Sequence, residues 1–378
     1  WATHGEPSAV NAHPHISGDR LALVHNGIIE NHEALRQELT DQGYEFASAT
    51  DTEVIVHLLH THLQQGLSLL DALRQTVGRL EGAYAIAAID SEHPDQVAAA
   101  RQGSPLVIGV GIGENFLASD QMALRQVTDR FIYLEEGDLA LVTPSSLQIF
   151  DVHGAAAERA TTRIDEAVEA VDLGEFDHYM LKEIYEQPRA LAATFTAGGG
   201  RSVDDKSFGE GAAAIFDRVK CVQIVACGTS YHAAMVARYW LEELAGIPCE
   251  VEVASEFRYR KRVHHDGTLL LTISQSGETA DTLAALRNAA AGEFIGSLVI
   301  ANVDNSSLVR ESDLVFLTRA GAEIGVASTK AFTTQLVGLL MLAIALGRRS
   351  GMSAEKQAEL ANALHRLPDY VQETLEMD

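Results

Sequence analysis

The sequence is poor in cysteine. Three occur in 378 residues, Cys221, Cys227 and Cys249, with no CxxC pair and no secretory apolar segment. That excludes a disulfide framework and fits a reduced, cytoplasmic setting. Basic residues are scarce as well: 28 Lys and Arg stand against 53 Asp and Glu, a formal net charge of -25. Such a chain repels polyanions, which argues against nucleic acid or an anionic membrane surface as partner, and any phosphate has to be bound locally. Long apolar runs are missing too. The most apolar stretch, Leu336 to Leu346, follows Thr333, Thr334 and Gln335 and ends at Arg348 and Arg349, short of a bilayer span, so it reads as a buried helix. No internal repeat is present.

What remains is ordinary globular material, 47% hydrophobic and 21% charged. At this length it predicts two compact cores joined by a linker. The first residue is Trp1, inside a dense polar motif with no preceding strand or cap, and the last element is an amphipathic helix from about Ala354 to Leu375. Both ends therefore read as cuts through a longer protein.

The first half predicts an α+β domain over residues 1–151. Leu21 to His25 reads as a strand, Asn31 to Gln42 and Thr52 to Gln64 as helices, and Ala83 to Asp90, Gln96 to Arg101, Leu106 to Val110, Asn115 to Ser119 and Leu139 to Thr143 as further strands. Residues 152–212 read as a linker with a helix or two. From there the grammar changes. Val222 to Ala226, Thr268 to Ser274, Ser297 to Val303 and Asp313 to Thr318 are apolar runs separated by helical segments such as Ser230 to Ala245 and Thr279 to Ala291. That alternation predicts a doubly wound α/β parallel sheet over residues 213–353, followed by a helical connection over 354–378.

Two motifs in the second half point to an anion. Cys227-Gly228-Thr229-Ser230 follows one strand and opens a helix, and Ser274-Gln275-Ser276-Gly277-Glu278-Thr279 does the same after the next long strand. Hydroxyls and amide donors at adjacent strand ends suit one phosphate, and the absence of a Walker lysine favours a phosphorylated small molecule over a nucleoside triphosphate. Either motif alone is also compatible with a strand-to-helix turn capped by Ser230. In the first half, Asn26-Gly27 after a strand offers a side-chain amide and a flexible backbone N–H, as an oxyanion hole needs. The same pair also suits a type I′ hairpin turn. The histidines of the first half lack metal-site spacing, so no metal is expected.

CGTS, SQSGETADT and EIGVASTKAFTTQ resemble the sugar isomerase (SIS) segments of the glutamine:fructose-6-phosphate aminotransferase (isomerising) family, over about Ala213 to Arg349. The string THGEPSAVNAHPH…LVHNGIIENH resembles the glutamine-binding half of N-terminal-nucleophile, class II amidotransferases. It continues through Thr50-Asp51-Thr52-Glu53, Glu81-Gly82-Ala83-Tyr84, Ser104-Pro105-Leu106 and Ala118-Ser119-Asp120. The segment His178 to Pro188 resembles the family's interdomain connection.

By this resemblance Asn26 and Gly27 are the oxyanion donors, Asp51 meets the α-amino group of L-glutamine, Thr3 and His4 contact the substrate, and Trp1 sits on the loop that closes over it. Asp51 also reads as the N-cap of the helix from Thr52. Cys227, Gly228, Thr229, Ser230, Ser274, Gln275, Ser276, Thr279, Val326, Ala327 and Ser328 line the fructose 6-phosphate pocket, with Ser274, Ser276 and Thr279 on the phosphate and Thr229 and Val326 nearer the sugar hydroxyls. The family's product is glucosamine 6-phosphate, at the first step of amino sugar (UDP-N-acetylglucosamine) synthesis. A cytoplasmic homodimer with no dissociable cofactor is implied.

The family's nucleophile is an N-terminal cysteine, and its imine-forming lysine lies in a second SIS half. Neither is in this sequence, so the chain by itself is expected to hold parts of both sites without turning over. Other amidotransferases of the class lack the CGTS and SQSGETADT pair. A non-catalytic sugar-phosphate-binding SIS protein is the alternative, and it leaves the glutamine half unexplained. Gly109-Val110-Gly111-Ile112-Gly113 lies among short β-rich segments, which sets aside a dinucleotide-binding oxidoreductase.

Overall fold

The computed structural model describes residues 4–163, 173–199, 203–263, 265–289 and 292–377. The chain divides into two compact units, residues 1–169 and 170–378.

Unit 1 runs β1 (His15–Ser17), β2 (Leu21–Ile29), α1 (His32–Asp41), α2 (Thr52–Gln64), α3 (Leu69–Val77), β3 (Gly82–Asp90), β4 (His93–Gln102), β5 (Val107–Val110), β6 (Asn115–Ala118), β7 (Arg130–Tyr133), β8 (Leu139–Val142), β9 (Leu147–Phe150) and β10 (Thr161–Arg163). A six-stranded sheet has the order β1-β2-β3-β4-β8-β9 and a four-stranded sheet the order β10-β7-β5-β6. All their pairings are antiparallel.

Alternation along the strands sorts side chains onto two faces. Leu21, Leu23, Ile86, Ala88, Ala98 and Ala100 meet Val54, Leu58 and Leu73 of the helices. Ala85, Ala99 and Ala140 on the other face meet Leu106, Ile108 and Ile132 of the second sheet. Unit 1 is therefore three layers, helices on sheet on sheet. Beside the β2–β3 pair, Arg20 grips Asp90 through Nε and Nη2 at 2.8 and 2.7 Å. Those hydrogen bonds hold the Asp90 carboxyl down to about 2.

Unit 2 runs α4 (Tyr179–Tyr185), α5 (Gln187–Ala197), α6 (Ala212–Phe216), β11 (Cys221–Ala226), α7 (Gly228–Ala245), β12 (Cys249–Val253), α8 (Ala254–Phe257), β13 (Thr268–Ser274), α9 (Ala280–Arg287), β14 (Ser297–Ala301), α10 (Ser307–Glu311), β15 (Leu314–Leu317), α11 (Lys330–Gly347) and α12 (Ala354–Leu375). Among the described residues its sheet has five parallel strands in the order β12-β11-β13-β14-β15. Val222, Ile224, Leu271 and Ile300 face one helical layer, in which α5, α7 and α11 pack. Val225, Leu270 and Val299 face α8, α9 and α10. A sheet covered on both faces needs near-continuous apolar strands, and β11 and β13 are buried at every residue.

Apolar runs mark four of these strands in the sequence; the fifth is β12, an edge strand whose Glu250 and Glu252 break its apolar run. The segments expected between the domains include α4 and α5, and Leu191 and Phe195 of α5 belong to the core of unit 2. Helix α11 is long and apolar enough, by length and composition, to cross a membrane, and 78% of it is buried inside the fold.

Candidate functional site

In unit 1 the polar run before and into α2 sits where β2 ends. Thr50, Asp51, Thr52 and Glu53 are all buried, so each needs an internal partner. Asp51 Oδ2 accepts from the Ile29 amide at 2.8 Å. Its other oxygen, Oδ1, lies 3.8 Å from His4 Nδ1, and the His4 ring stacks edge-on against His32 at 4.7 Å. Thr50 Oγ1 is 3.1 Å from His15 Nε2. Thr52 Oγ1 is 3.0 Å from His25 Nδ1 and 3.4 Å from His13 Nε2. Glu53 accepts from the amides of Ala47 and Ser48 and from Ser48 Oγ, at 2.6 to 2.8 Å.

The electrostatics follow from burial. His25 is pushed down to about 4, chiefly because burial penalises the imidazolium, with the Asp51 carboxylate opposing. Burial lowers His13, His15 and His57 as well. For Glu53, burial pushes upward, but the Ser48 and Ala47 hydrogen bonds outweigh it and hold the carboxyl below its ordinary range. Burial thus favours the neutral imidazole at His13, His15, His25 and His57.

The structure brings His4 and Asp51 together, and Asp51 meets β2 at Ile29, two residues beyond Gly27. Trp1 and Thr3 lie outside the described residues. Two local readings change. Asn26-Gly27 is not a hairpin turn: β2 continues to Ile29, with Asn26 opposite Ala85 and Gly27 opposite Tyr84. Gly27 has φ +141°, and a Cβ there would stand 2.0 Å from the Ala83 carbonyl oxygen, so only glycine fits this pairing. Asp51 occupies the N-cap position of α2, but its side chain makes no cap hydrogen bond and reaches β2 instead. Sequence reasoning missed the supporting roles of His13, His15, His25, Thr50, Thr52 and Glu53, although the polar strings NAHPH, VHN and TDTE held them all.

In unit 2 the strand order reverses between β11 and β13, since the chain moves from β11 out to β12 and then back past β11 to β13. Ligands in open α/β sheets bind outside the carboxyl ends of the strands at such a switch point. Both predicted loops are there. Cys227 is the N-cap residue of α7 and contributes no side-chain cap. Ser230 therefore lies within the first turn and is not the cap. In the second loop Ser274 Oγ and Thr279 Oγ1 are 2.8 Å apart, the Gly277 amide donates to Ser274 Oγ at 3.0 Å, and the Glu278 amide donates to Ser276 Oγ at 3.1 Å. Gly277 is left-handed at φ +67°, and a Cβ there would meet Ser306 Oγ at 1.9 Å. The loops meet where Thr282 Oγ1 donates to Cys227 Sγ at 4.0 Å.

The third segment precedes and enters α11. Glu323 folds back on its own loop, accepting from Ser328 Oγ at 3.0 Å, Thr329 N at 2.9 Å and Ala331 N at 3.0 Å. Val326 and Ala327 between these bonds are exposed. Cys249 is pushed up to about 12 by burial and Cys221 upward for the same reason, so both thiols are inert packing groups. Gly109 to Gly113 spans the antiparallel hairpin between β5 and β6, with the Gly111 amide donating to Glu114 O at 3.0 Å.

Comparison with known proteins bears on both units. A glutamine amidotransferase domain profile matches residues 6–126 and a SIS domain profile matches residues 215–345. The whole chain aligns at 61% identity with glutamine–fructose-6-phosphate aminotransferase (isomerizing) of Pseudomonas putida, at 60% with that of Pseudomonas aeruginosa, and at 57% with that of Haemophilus influenzae. The chain is thus similar along its whole length to glutamine–fructose-6-phosphate aminotransferases. It spans 62% of the length of these relatives. Among solved structures, the C-terminal domain of glucosamine-fructose-6-phosphate aminotransferase from Francisella tularensis superposes with a TM-score of 0.54 at 47% identity, covering 55% of this chain and 58% of that one. The amidotransferase match falls on the antiparallel unit 1 and the SIS match on the parallel sheet of unit 2.

Proposed function

We propose that the whole protein hydrolyses glutamine and uses the ammonia to aminate and isomerise fructose 6-phosphate to glucosamine 6-phosphate. The observation that carries this reading is the presence, in one chain, of the Asp51 pocket beside Asn26-Gly27 and the paired hydroxyl loops at the switch point of a parallel sheet. In unit 1 the Asp51 carboxylate, already committed through Oδ2 to Ile29, receives the α-ammonium of glutamine on the His4 side. The Asn26 side-chain amide and the Gly27 N–H donate to the oxyanion that develops on the attacked carbonyl; by the sequence resemblance Thr3 and His4 contact the substrate and Trp1 belongs to the loop that closes over it.

In unit 2 the hydroxyls of Ser274, Ser276 and Thr279, with the amides at the start of α9, take the phosphate. Cys227 to Ser230, Gln275 and the Val326–Ser328 turn surround the sugar. The same reading makes the protein a cytoplasmic homodimer.

The test is calorimetric titration of the chain with fructose 6-phosphate, comparing wild type with Ser276→Ala. Saturable binding that the variant loses is the expected result. A folded wild-type chain that takes up no heat from the sugar phosphate counts against the assignment of this pocket.

A further inference from the structure

We propose that Glu183 is a positioning residue for the turn Val326–Ser328, setting the geometry with which that turn meets the sugar. The proposal rests on the sugar-phosphate reading of unit 2. Glu183 lies on α4, far from the turn in sequence, and is 2% exposed. Its Oε1 accepts from the Ile324 amide at 2.5 Å and the Gly325 amide at 3.0 Å, and Oε2 accepts from Gly325 at 3.2 Å. A Cβ at Gly325 would stand 2.5 Å from Oε2, so the glycine is what admits the carboxylate.

On the other side of the turn, Lys330, 3% exposed, pairs through Nζ with Glu186 Oε2 at 2.5 Å. Glu186 follows Glu183 by three residues, so one helical segment holds the chain immediately before and immediately after the turn. Glu323 closes the loop internally.

Burying a carboxylate is expensive unless amides or cations meet it. Here that expense is laid out on a surface loop, because Ile324 is 46% and Val326 81% exposed. A core does not need this arrangement. A turn whose backbone must be held still for a ligand does, and the clamp leaves Val326 and Ala327 projecting from two fixed ends.

The experiment uses the full chain as wild type, Glu183→Leu, which keeps bulk and removes the acceptors, and Glu183→Gln, which keeps a neutral acceptor at the Oε1 position. Calorimetry reads affinity for two probes, fructose 6-phosphate and inorganic phosphate, and hydrogen exchange reads the amides of 324–329. Removing the acceptors from two amides is expected to weaken fructose 6-phosphate about tenfold or more, to leave inorganic phosphate unchanged because its loop lies elsewhere, and to speed exchange across 324–329. Glu183→Gln recovers part of the affinity and of the protection.

Unchanged fructose 6-phosphate affinity in Glu183→Leu overturns the proposal, and so does an equal loss for both probes, which marks a general packing role. If wild type binds inorganic phosphate but not fructose 6-phosphate, the sugar reading of the pocket fails. Exchange then still decides the clamp: unaltered protection of 324–329 in Glu183→Leu refutes it.

Discussion

Lowering the pH from 7.5 to 5.0 should destabilise unit 1 through His25. The ring is buried against Thr52 with its pKa at about 4 in the fold, against about 6.5 in the unfolded chain. Between these values the unfolded state binds a proton that the folded state refuses, so stability falls as pH falls. At pH 5.0 the difference is about 2 kcal/mol, and at pH 7.5 it is close to zero. The other shifted groups of unit 1 do not cancel it. His13, His15 and His57 are lowered as well and add in the same direction, whereas Glu53 and Asp90 have depressed carboxyls that matter only at more acid pH.

Urea titration with pulse proteolysis, read by peptide mass so that unit 1 is followed apart from unit 2, measures this directly. With a slope of about 2 kcal/mol per molar, the unit 1 midpoint should drop by about 1 M urea. In His25→Gln the midpoint starts lower but its pH dependence shrinks by about the same 2 kcal/mol. A wild-type midpoint that does not move, or a variant with undiminished pH dependence, refutes the assignment of a buried neutral imidazole.

Gly27→Ala should cost about 3 kcal/mol or more, since its Cβ meets a carbonyl oxygen of the paired strand at 2.0 Å and the backbone region is strained. Gly43→Ala, at φ +93° with nothing within 4 Å, should cost only the strain, about 1 to 2 kcal/mol; equal midpoints in urea contradict the close approach. Glu53→Gln sets an amide donor against the amide donors of Ala47 or Ser48 and should lower unit 1 stability by about 1 to 3 kcal/mol at pH 7.5. An unchanged midpoint shows that the three hydrogen bonds do not depend on the carboxylate.

Elements with strong periodicity or firm ends were legible before the fold was in view. Helices α2 and α12 and strand β13 begin and end where the pattern places them, because each carries a long apolar stripe or run bounded by polar residues. Strands β1, β7, β9 and β10 have three or four residues each, too few for a period to show, and exist through their neighbours in the sheet. Helix α3 had its signal, Ser68 accepting from the Asp71 amide, but the short sequence between two stronger elements hid it. The same division holds for the sites. Loops that follow a strand and open a helix advertise themselves locally, so Cys227–Ser230 and Ser274–Thr279 could be found by spacing. Glu183 could not, since its partners stand 141 and 142 residues away and only the packed fold introduces them.

The run from Thr50 to Glu53 answers, side chain by side chain, to His15, to Ile29, to His13 and His25, and to the Ala47–Ser48 amides. One short segment thereby fastens several separate stretches of chain, and the bonds that would shape a substrate pocket are the bonds that hold the helical layer in place. For protein engineering this removes a common freedom. A library randomised at these four positions and sorted only for soluble, protease-resistant protein, with no demand for chemistry, should return variants close to the starting sequence, so a screen for fold alone would already be a screen for the site.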